Sequence, residues 1–249
     1  RAERAAAGGA ARAPPRVALI HAMQPSIASS MPAFESLWPE AELVHLLDDS
    51  LARDVGRSGL DPAMTQRFLE LARYARDGAR CEGVLFTCSA FGSAIEEVQR
   101  QLRTEAFPVL KPNEAMMEKA ATLGRSRAGP VAVLSMFEPT LPSITRELQE
   151  IGGDNLRMLP RFVPEALGAL QAGDEAACNA AIAEAAVQAV EEVRAGGEEL
   201  ACIAFAMFSM ARGRTATESR LCSLLAGEAP PVLTSPDSAV LHMKALLGA

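Results

Sequence analysis

Residues 84–90 read Val-Leu-Phe-Thr-Cys-Ser-Ala, and residues 203–209 read Ile-Ala-Phe-Ala-Met-Phe-Ser. Each segment begins with an apolar run about as long as a buried β-strand and continues into small residues that typically precede a helix. Gly78 and Gly197, which precede the two segments, are separated by the same offset of 119 residues. This similarity indicates that one structural unit occurs twice in the chain.

Two further pairs of segments repeat in the same order. Arg16-Val-Ala-Leu-Ile is similar to Pro130-Val-Ala-Val-Leu, and Pro108-Val-Leu-Lys-Pro-Asn-Glu-Ala recurs, with one inserted residue, as Pro231-Val-Leu-Thr-Ser-Pro-Asp-Ser-Ala. Buried strands draw on few residue types, so chance could supply any one of these matches. Three matches in the same order predict two halves of similar fold.

Short apolar runs alternate with helical patterns from Arg16 onward, which is typical of βα units and a parallel sheet. Two helices carry clear start signals, an N-cap with a first-turn proline at Asp61-Pro62 and an N-cap at Asp174. The predicted strands are residues 17–21, 84–87, 108–110, 131–135, 202–205 and 231–233. We therefore expect an α/β fold of two similar domains related by a pseudo-twofold axis. Each would be a small parallel sheet flanked by helices, with the active site in the cleft between them.

The repeat also sets the predicted domain boundaries. Residues 16–112 together with residues 237–249 form the first α/β domain, and residues 113–236 form the second. Residues 1–15 consist of Ala, Arg, Gly and Pro with a single Glu. Such a composition cannot bury enough apolar surface to offset the entropy of ordering, so we expect a flexible tail there.

The overall composition argues against several classes of protein. The chain has 24 basic and 31 acidic residues and a net charge of −7, whereas nucleic acids and anionic membranes select clustered positive charge. No apolar run approaches the ~18 residues of a membrane-spanning helix. Five cysteines without a CxxC pair are typical of reduced thiols in a cytoplasmic protein. The three histidines match no zinc spacing, and both GxGxxG and a lysine-containing phosphate loop are missing.

The chemistry is expected beyond the carboxyl ends of the strands, where ligands bind in open parallel sheets. Cys88 stands at one such end, directly before a helical segment. There the positive end of the helix dipole is expected to lower the thiol pKa toward a reactive thiolate. Its small neighbours Ser89 and Ala90 leave backbone amides accessible to a carboxylate. The alternative is a buried thiol that only packs.

The motifs of this chain resemble those of the aspartate/glutamate racemase superfamily, which includes aspartate, glutamate and hydantoin racemases, maleate isomerases and arylmalonate decarboxylases. The resemblance covers nearly all of the chain from Arg16. It rests on Val17-Ala-Leu-Ile-His, Thr87-Cys-Ser-Ala-Phe-Gly, Pro108-Val-Leu-Lys-Pro-Asn-Glu-Ala, Phe137-Glu-Pro-Thr and Phe208-Ser-Met-Ala. It implies a two-domain enzyme without cofactor or metal that acts on a carbon next to a carboxylate, and a possible homodimer.

The racemases of this superfamily use two cysteines, one in each half, because inverting a stereocentre requires proton removal on one face and delivery on the other. The resemblance assigns Cys88 to the first position, but Met207 occupies the second and has no proton to exchange. Glu138 and His21 are the candidates for an opposing acid. The alternatives are a solvated loop carboxylate for Glu138 and a hydrogen-bonded core histidine for His21.

Several polar side chains at the strand ends are expected to surround a bound carboxylate, with backbone amides near Ala90 and Met210 stabilising enolate-like charge. These side chains belong to Ser26, Thr87, Ser89, Asn113, Thr140 and Ser209. Ser and Asn at loop starts also commonly cap helices, which is the alternative for Asn113 and Ser209. The predicted function is a cofactor-independent isomerase, racemase-like or decarboxylase-like enzyme with one catalytic cysteine. The alternative is a non-catalytic protein of the same fold that binds small carboxylates or has a regulatory role.

Overall fold

A computed structural model describes residues 13–225 and 228–249. Most of the predicted tail, residues 1–12, lies outside this part of the chain. The strands are β1 Arg16–His21, β2 Glu42–Leu47, β3 Gly83–Phe86, β4 Val109–Leu110, β5 Val131–Ser135, β6 Met158–Phe162, β7 Cys202–Phe205 and β8 Val232–Thr234. The α-helices are α1 Pro25–Leu37, α2 Leu51–Ser58, α3 Pro62–Arg73, α4 Gly92–Leu102, α5 Glu114–Arg127, α6 Thr140–Gly152, α7 Pro164–Gln171, α8 Glu175–Ala195, α9 Arg214–Leu224 and α10 Ser235–Leu246. None of these helices is long and apolar enough to cross a membrane.

The strands form two parallel four-stranded sheets with one topology. The order is β2-β1-β3-β4 in the first sheet and β6-β5-β7-β8 in the second, and every neighbouring pair is parallel. Corresponding strands therefore occupy corresponding places in the two sheets. This arrangement confirms the predicted α/β fold of two similar halves.

Helices cover both faces of each sheet, so the central strands are apolar on both sides. In the first half, Ile20 and Phe86 pack with residues of α3 and α4, while Leu19 and Leu85 pack with residues of α1 and α10. In the second half, one apolar cluster includes residues of α7, α8 and α9, and another includes residues of α5 and α6. The burial of both faces explains why these strands read as unbroken apolar runs in the sequence.

The predicted helix starts are present. The carboxylate of Asp61 accepts the backbone N–H of Met64 at 2.7 Å and begins α3, and Asp174 accepts that of Ala177 at 2.9 Å and begins α8. Such caps satisfy backbone donors that have no partner within the helix. The start signals therefore predicted both helices correctly.

Two strands, β2 and β6, were missed by the sequence prediction. Each forms the outer edge of its sheet, and most of its residues are partly or largely exposed. An edge strand covered on fewer sides needs no continuous apolar run, and therefore gives a weaker sequence signal.

The C-terminal helix α10 packs on the first half. Its residues Val240 and Met243 share an apolar cluster with Val17 and Leu85 of the first sheet. Phe208, from the second half, contacts the same cluster. This packing supports the assignment of residues 237–249 to the first domain, although the domain boundaries stay a prediction.

Candidate active site

A cavity of about 170 Å³ lies where the carboxyl ends of strands from both halves meet. The parallel topology brings together segments that follow β1, β3, β4, β5 and β7. The lining residues are Met23, Ser26, Ser29, Thr87, Cys88, Ser89, Pro112, Asn113, Thr140, Ala206, Met207, Phe208 and Ser209. The lining includes one thiol, several hydroxyl groups and one amide, and none of these side chains carries a charge. The sequence-predicted residues in this lining are Cys88, Ser26, Thr87, Ser89, Asn113, Thr140, Ser209 and Met207.

Cys88 and Met207 occupy matching places in the two halves. Both follow the third strand of their half along the chain, and both have extended backbone, with φ −129° and ψ 120° at Cys88 and φ −130° and ψ 140° at Met207. Each is followed directly by a short 3₁₀ turn, Ser89–Phe91 in one half and Phe208–Gly213 in the other. The cavity therefore has a thiol from the first half and a thioether from the second.

The pKa of the Cys88 thiol is raised above its ordinary value, so the expectation of a lowered pKa is wrong. Burial is the main cause, and a hydrogen bond from the backbone N–H of Ala90 acts in the opposite direction. The side chain packs against the apolar core of the first half beside Phe86 and Phe91. The 3₁₀ turn also separates Cys88 from α4, which begins at Gly92. At neutral pH Cys88 is therefore a thiol and not a thiolate.

His21 lies behind the cavity wall and is fully buried. Its Nδ1 atom is 2.9 Å from the Thr87 hydroxyl, and its Nε2 atom is 3.0 Å from Nδ1 of His45. Burial, together with the neighbouring His45, lowers the pKa of His21 to about 4. The Thr87 hydroxyl in turn donates to the carbonyl of Ile20 at 3.2 Å. His21 is therefore a neutral, hydrogen-bonded histidine that supports a lining residue, and it does not face Cys88 across the cavity.

Three other predicted residues also lie outside the lining. Glu138 is on the exposed loop between β5 and α6 and is not among the residues that line the cavity. Met210 is fully buried in the core of the second half, and its backbone N–H already donates to the carbonyl of Met207 at 3.0 Å. The N–H of Ala90 donates to Cys88. The backbone N–H groups of Ala90 and Met210 therefore both have partners, and the role of the other loop amides at residues 88–90 and 209–211 stays a prediction.

Asn113 contributes the only side-chain amide among the lining residues named above. It is 4% exposed, and its Oδ1 accepts the hydroxyl of Ser235 at 2.6 Å. Although Asn113 precedes α5, its side chain makes no helix-capping hydrogen bond, and Ser209 lies within a 3₁₀ turn and not at a cap. The capping alternative for these two residues is therefore not what the structure shows.

The sequence did not predict a role for Ser235 or His45. Ser235 donates to the lining residue Asn113, and His45 contacts His21, which in turn contacts the lining residue Thr87. Ser235 lies at the inserted position of the repeated segment that begins at Pro231, so the repeat gave no signal for it. His45 lies on β2, the edge strand that the apolar pattern did not reveal.

Two charged residues close in sequence to the lining already have partners. Lys111 pairs with Glu96 at 3.0 Å, and Arg212 donates through Nε to the carbonyl of Ser209 at 2.9 Å. In the part of the chain that the structure describes, no cluster of three or more His, Cys, Asp or Glu side chains could hold a metal ion. All five cysteines are free.

This architecture is the fold of aspartate and glutamate racemases. An aspartate racemase homologue from Pyrococcus horikoshii OT3 superposes with a TM-score of 0.67 at 13% identity, covering 94% of this chain and 99% of that one. A glutamate racemase from Francisella tularensis, solved in complex with D-glutamate, gives a TM-score of 0.59 at 11% identity, covering 95% and 82%. A glutamate racemase from Bacillus anthracis gives 0.57 at 11% identity, covering 94% and 82%. No family model matches the sequence, and a search of curated proteins found no match.

Proposed function

We propose that this protein is a cofactor-independent isomerase or lyase in which Cys88 transfers a proton at a carbon next to a carboxylate. The observation that carries the proposal is the cavity itself, where one thiol shares a lining with hydroxyl and amide groups from both halves. Neutral donors of this kind bind a carboxylate and stabilise the negative charge that develops on an enolate. The glutamate racemase with this fold that was solved with D-glutamate also supports a small carboxylate as substrate.

The protonation state of Cys88 favours a reaction in which the thiol first acts as an acid. In a malonate-type acid, breaking the bond between carbon and one carboxylate releases CO₂ and leaves the electron pair on an enediolate. Cys88 donates its Sγ proton to the carbon, and water then returns a proton to the thiolate. The raised pKa keeps this proton on sulfur at neutral pH, and a single thiol completes the cycle.

Isomerisation by addition to a double bond is the second candidate. It also needs only Cys88, but it requires the thiolate as nucleophile, and burial disfavours the charged form. Racemisation by two thiols is the least favoured reaction, because Met207 holds the second position. We therefore rank decarboxylation with protonation first.

The test measures deuterium incorporation at the α-carbon in D₂O. NMR monitors the incorporation for a panel of malonates and other small carboxylic acids. We expect incorporation by the wild type and by Cys222→Ala, which removes an exposed thiol, and none by Cys88→Ala. Undiminished incorporation by Cys88→Ala would end the assignment of this residue.

The alternative function is non-catalytic binding of a small carboxylate. The observation in its favour is Met207, which leaves the cavity with a single proton-exchanging thiol. In that case a carboxylate raises the melting temperature of both the wild type and Cys88→Ala, and neither protein incorporates deuterium. A cytoplasmic location and a homodimer stay predictions from the sequence.

A further inference from the structure

The side chains of Ser235 and Asn113 meet behind the cavity, where the chain crosses from one half to the other. Asn113 precedes α5 after strand β4, and Ser235 begins α10 after strand β8, so both lie at the junction between the last strand of a sheet and the helix that follows it. Both are buried, Ser235 completely and Asn113 with 4% exposure. Their side chains meet at 2.6 Å. The segments that follow β4 and β8 therefore each contribute one partner to this hydrogen bond.

The surroundings fix the direction of this hydrogen bond. The Ser235 hydroxyl has one proton, and its other contacts, the Phe205 carbonyl at 3.3 Å and the Met116 sulfur at 3.5 Å, are longer. Asn113 Nδ2 lies 3.5 Å from the carbonyl of Ala206. Turning the amide over would place Oδ1 against that carbonyl oxygen, where two acceptors repel each other. Ser235 therefore donates to Oδ1, and Nδ2 remains the donor end of the amide.

We propose that Ser235 is a positioning residue that holds the Asn113 amide with Nδ2 as a donor to the carboxylate or enolate oxygen of a ligand in the cavity. This inference rests on the proposed function. The Ala206 carbonyl at 3.5 Å accounts for at most one of the two Nδ2 hydrogens, which leaves the other for a ligand in the cavity that Asn113 lines. Without the Ser235 hydroxyl, the buried Oδ1 atom has no hydrogen-bond donor. Rotation of the amide then becomes more favourable, and it turns the acceptor Oδ1 toward the anion.

The geometry suits stabilisation of negative charge. A donor held in place within a buried site needs no reorganisation when charge develops, and it acts in a medium less polar than water. Asn113 makes this contact directly, whereas Ser235 acts only through Asn113. A purely structural role for Ser235 would instead affect folding, whatever residue stands at position 113.

The test is a double-mutant cycle on the full chain, using succinate as the binding probe in calorimetry and malonate as a second probe. We expect Ser235→Ala to weaken succinate binding by about 10-fold to 100-fold, the usual effect of losing one hydrogen bond to a charged group. In the Asn113→Ala background, Ser235→Ala should have no further effect. Ser235→Cys keeps the volume and a weak donor, so its affinity should lie between those of the wild type and Ser235→Ala.

Circular dichroism and melting temperatures identify the variants that fold, and Ser235→Cys provides the comparison if Ser235→Ala does not fold. Equal losses of affinity in both backgrounds, or no loss in either, overturn the inference. Binding that follows the expected cycle without deuterium incorporation supports the inference while the proposed reaction fails. Deuterium incorporation without coupling between the two residues supports the proposed reaction and overturns the inference about Ser235. A wild type that binds neither probe at millimolar concentration overturns both.

Discussion

The buried histidine pair makes the stability of the fold depend on pH in a direction that can be worked out. Folding lowers the pKa of His21 from 6.5 to about 4, chiefly through burial and also through His45. Between these values the unfolded chain binds a proton that the folded chain does not, so stability falls as the pH falls. For a group with these two pKa values, the loss between pH 7 and pH 5 is ~2 kcal/mol. Burial also lowers the pKa of His45, which adds a loss of the same sign.

The perturbation is His21→Asn, measured by urea unfolding at several pH values with far-UV circular dichroism. At pH 7 we expect a loss of ~1–3 kcal/mol from the shortened side chain and the broken hydrogen bond. Between pH 7 and pH 5 the variant should lose ~2 kcal/mol less than the wild type, because its residue 21 does not titrate. Parallel profiles for His21→Asn and the wild type would refute the reasoning.

Three further predictions concern the cavity. Iodoacetamide should modify the exposed Cys222 first and Cys88 slowly. The rate of Cys88 modification should rise as the pH increases and fall when succinate is bound. Rapid modification of Cys88 at pH 7 would contradict its raised pKa. Met207→Cys should interconvert the enantiomers of an acid with a chiral α-carbon, as followed by chiral chromatography, and this gain should disappear when Cys88 is replaced by Ala. Calorimetry should show succinate binding at least ~10-fold more tightly than aspartate, because the lining described above offers no carboxylate to pair with an ammonium group; equal affinities would contradict this expectation.

The sequence predicts the buried strands of the fold, including the edge strands β4 and β8, better than the exposed ones. β1, β3, β5 and β7 are buried on both faces, and each left a continuous apolar run that could be recognised. The edge strands β2 and β6 left no such run because solvent covers part of their surface. The repeat made the prediction stronger, since two copies of a short pattern indicate a fold that one copy cannot.

The sequence also predicts which segments meet at the site, but not the environment of each side chain. The rule that ligands bind beyond strand ends was sufficient to predict that Cys88 and Ser209 line the same cavity. The same rule placed His21 at the site, although its ring turns toward Thr87 and His45 behind the wall. The pKa of Cys88 depends on apolar groups distant in sequence, such as Phe68, which shares its cluster. A local pattern shows the neighbouring helix but not this burial.

Cys88 and Met207 have similar backbone conformations, but only Cys88 has a side chain that can exchange a proton. Two extended residues before two short helical turns present their side chains to one cavity from opposite halves. Twofold symmetry of the backbone is therefore retained at these positions, while the capacity to exchange a proton is confined to one side. A reaction that needs proton transfer on both faces of a carbon loses its second group in such a cavity, whereas a reaction completed by a single protonation loses nothing. The combination of matching backbone and unlike side chains therefore supports the proposed decarboxylation with protonation over racemisation.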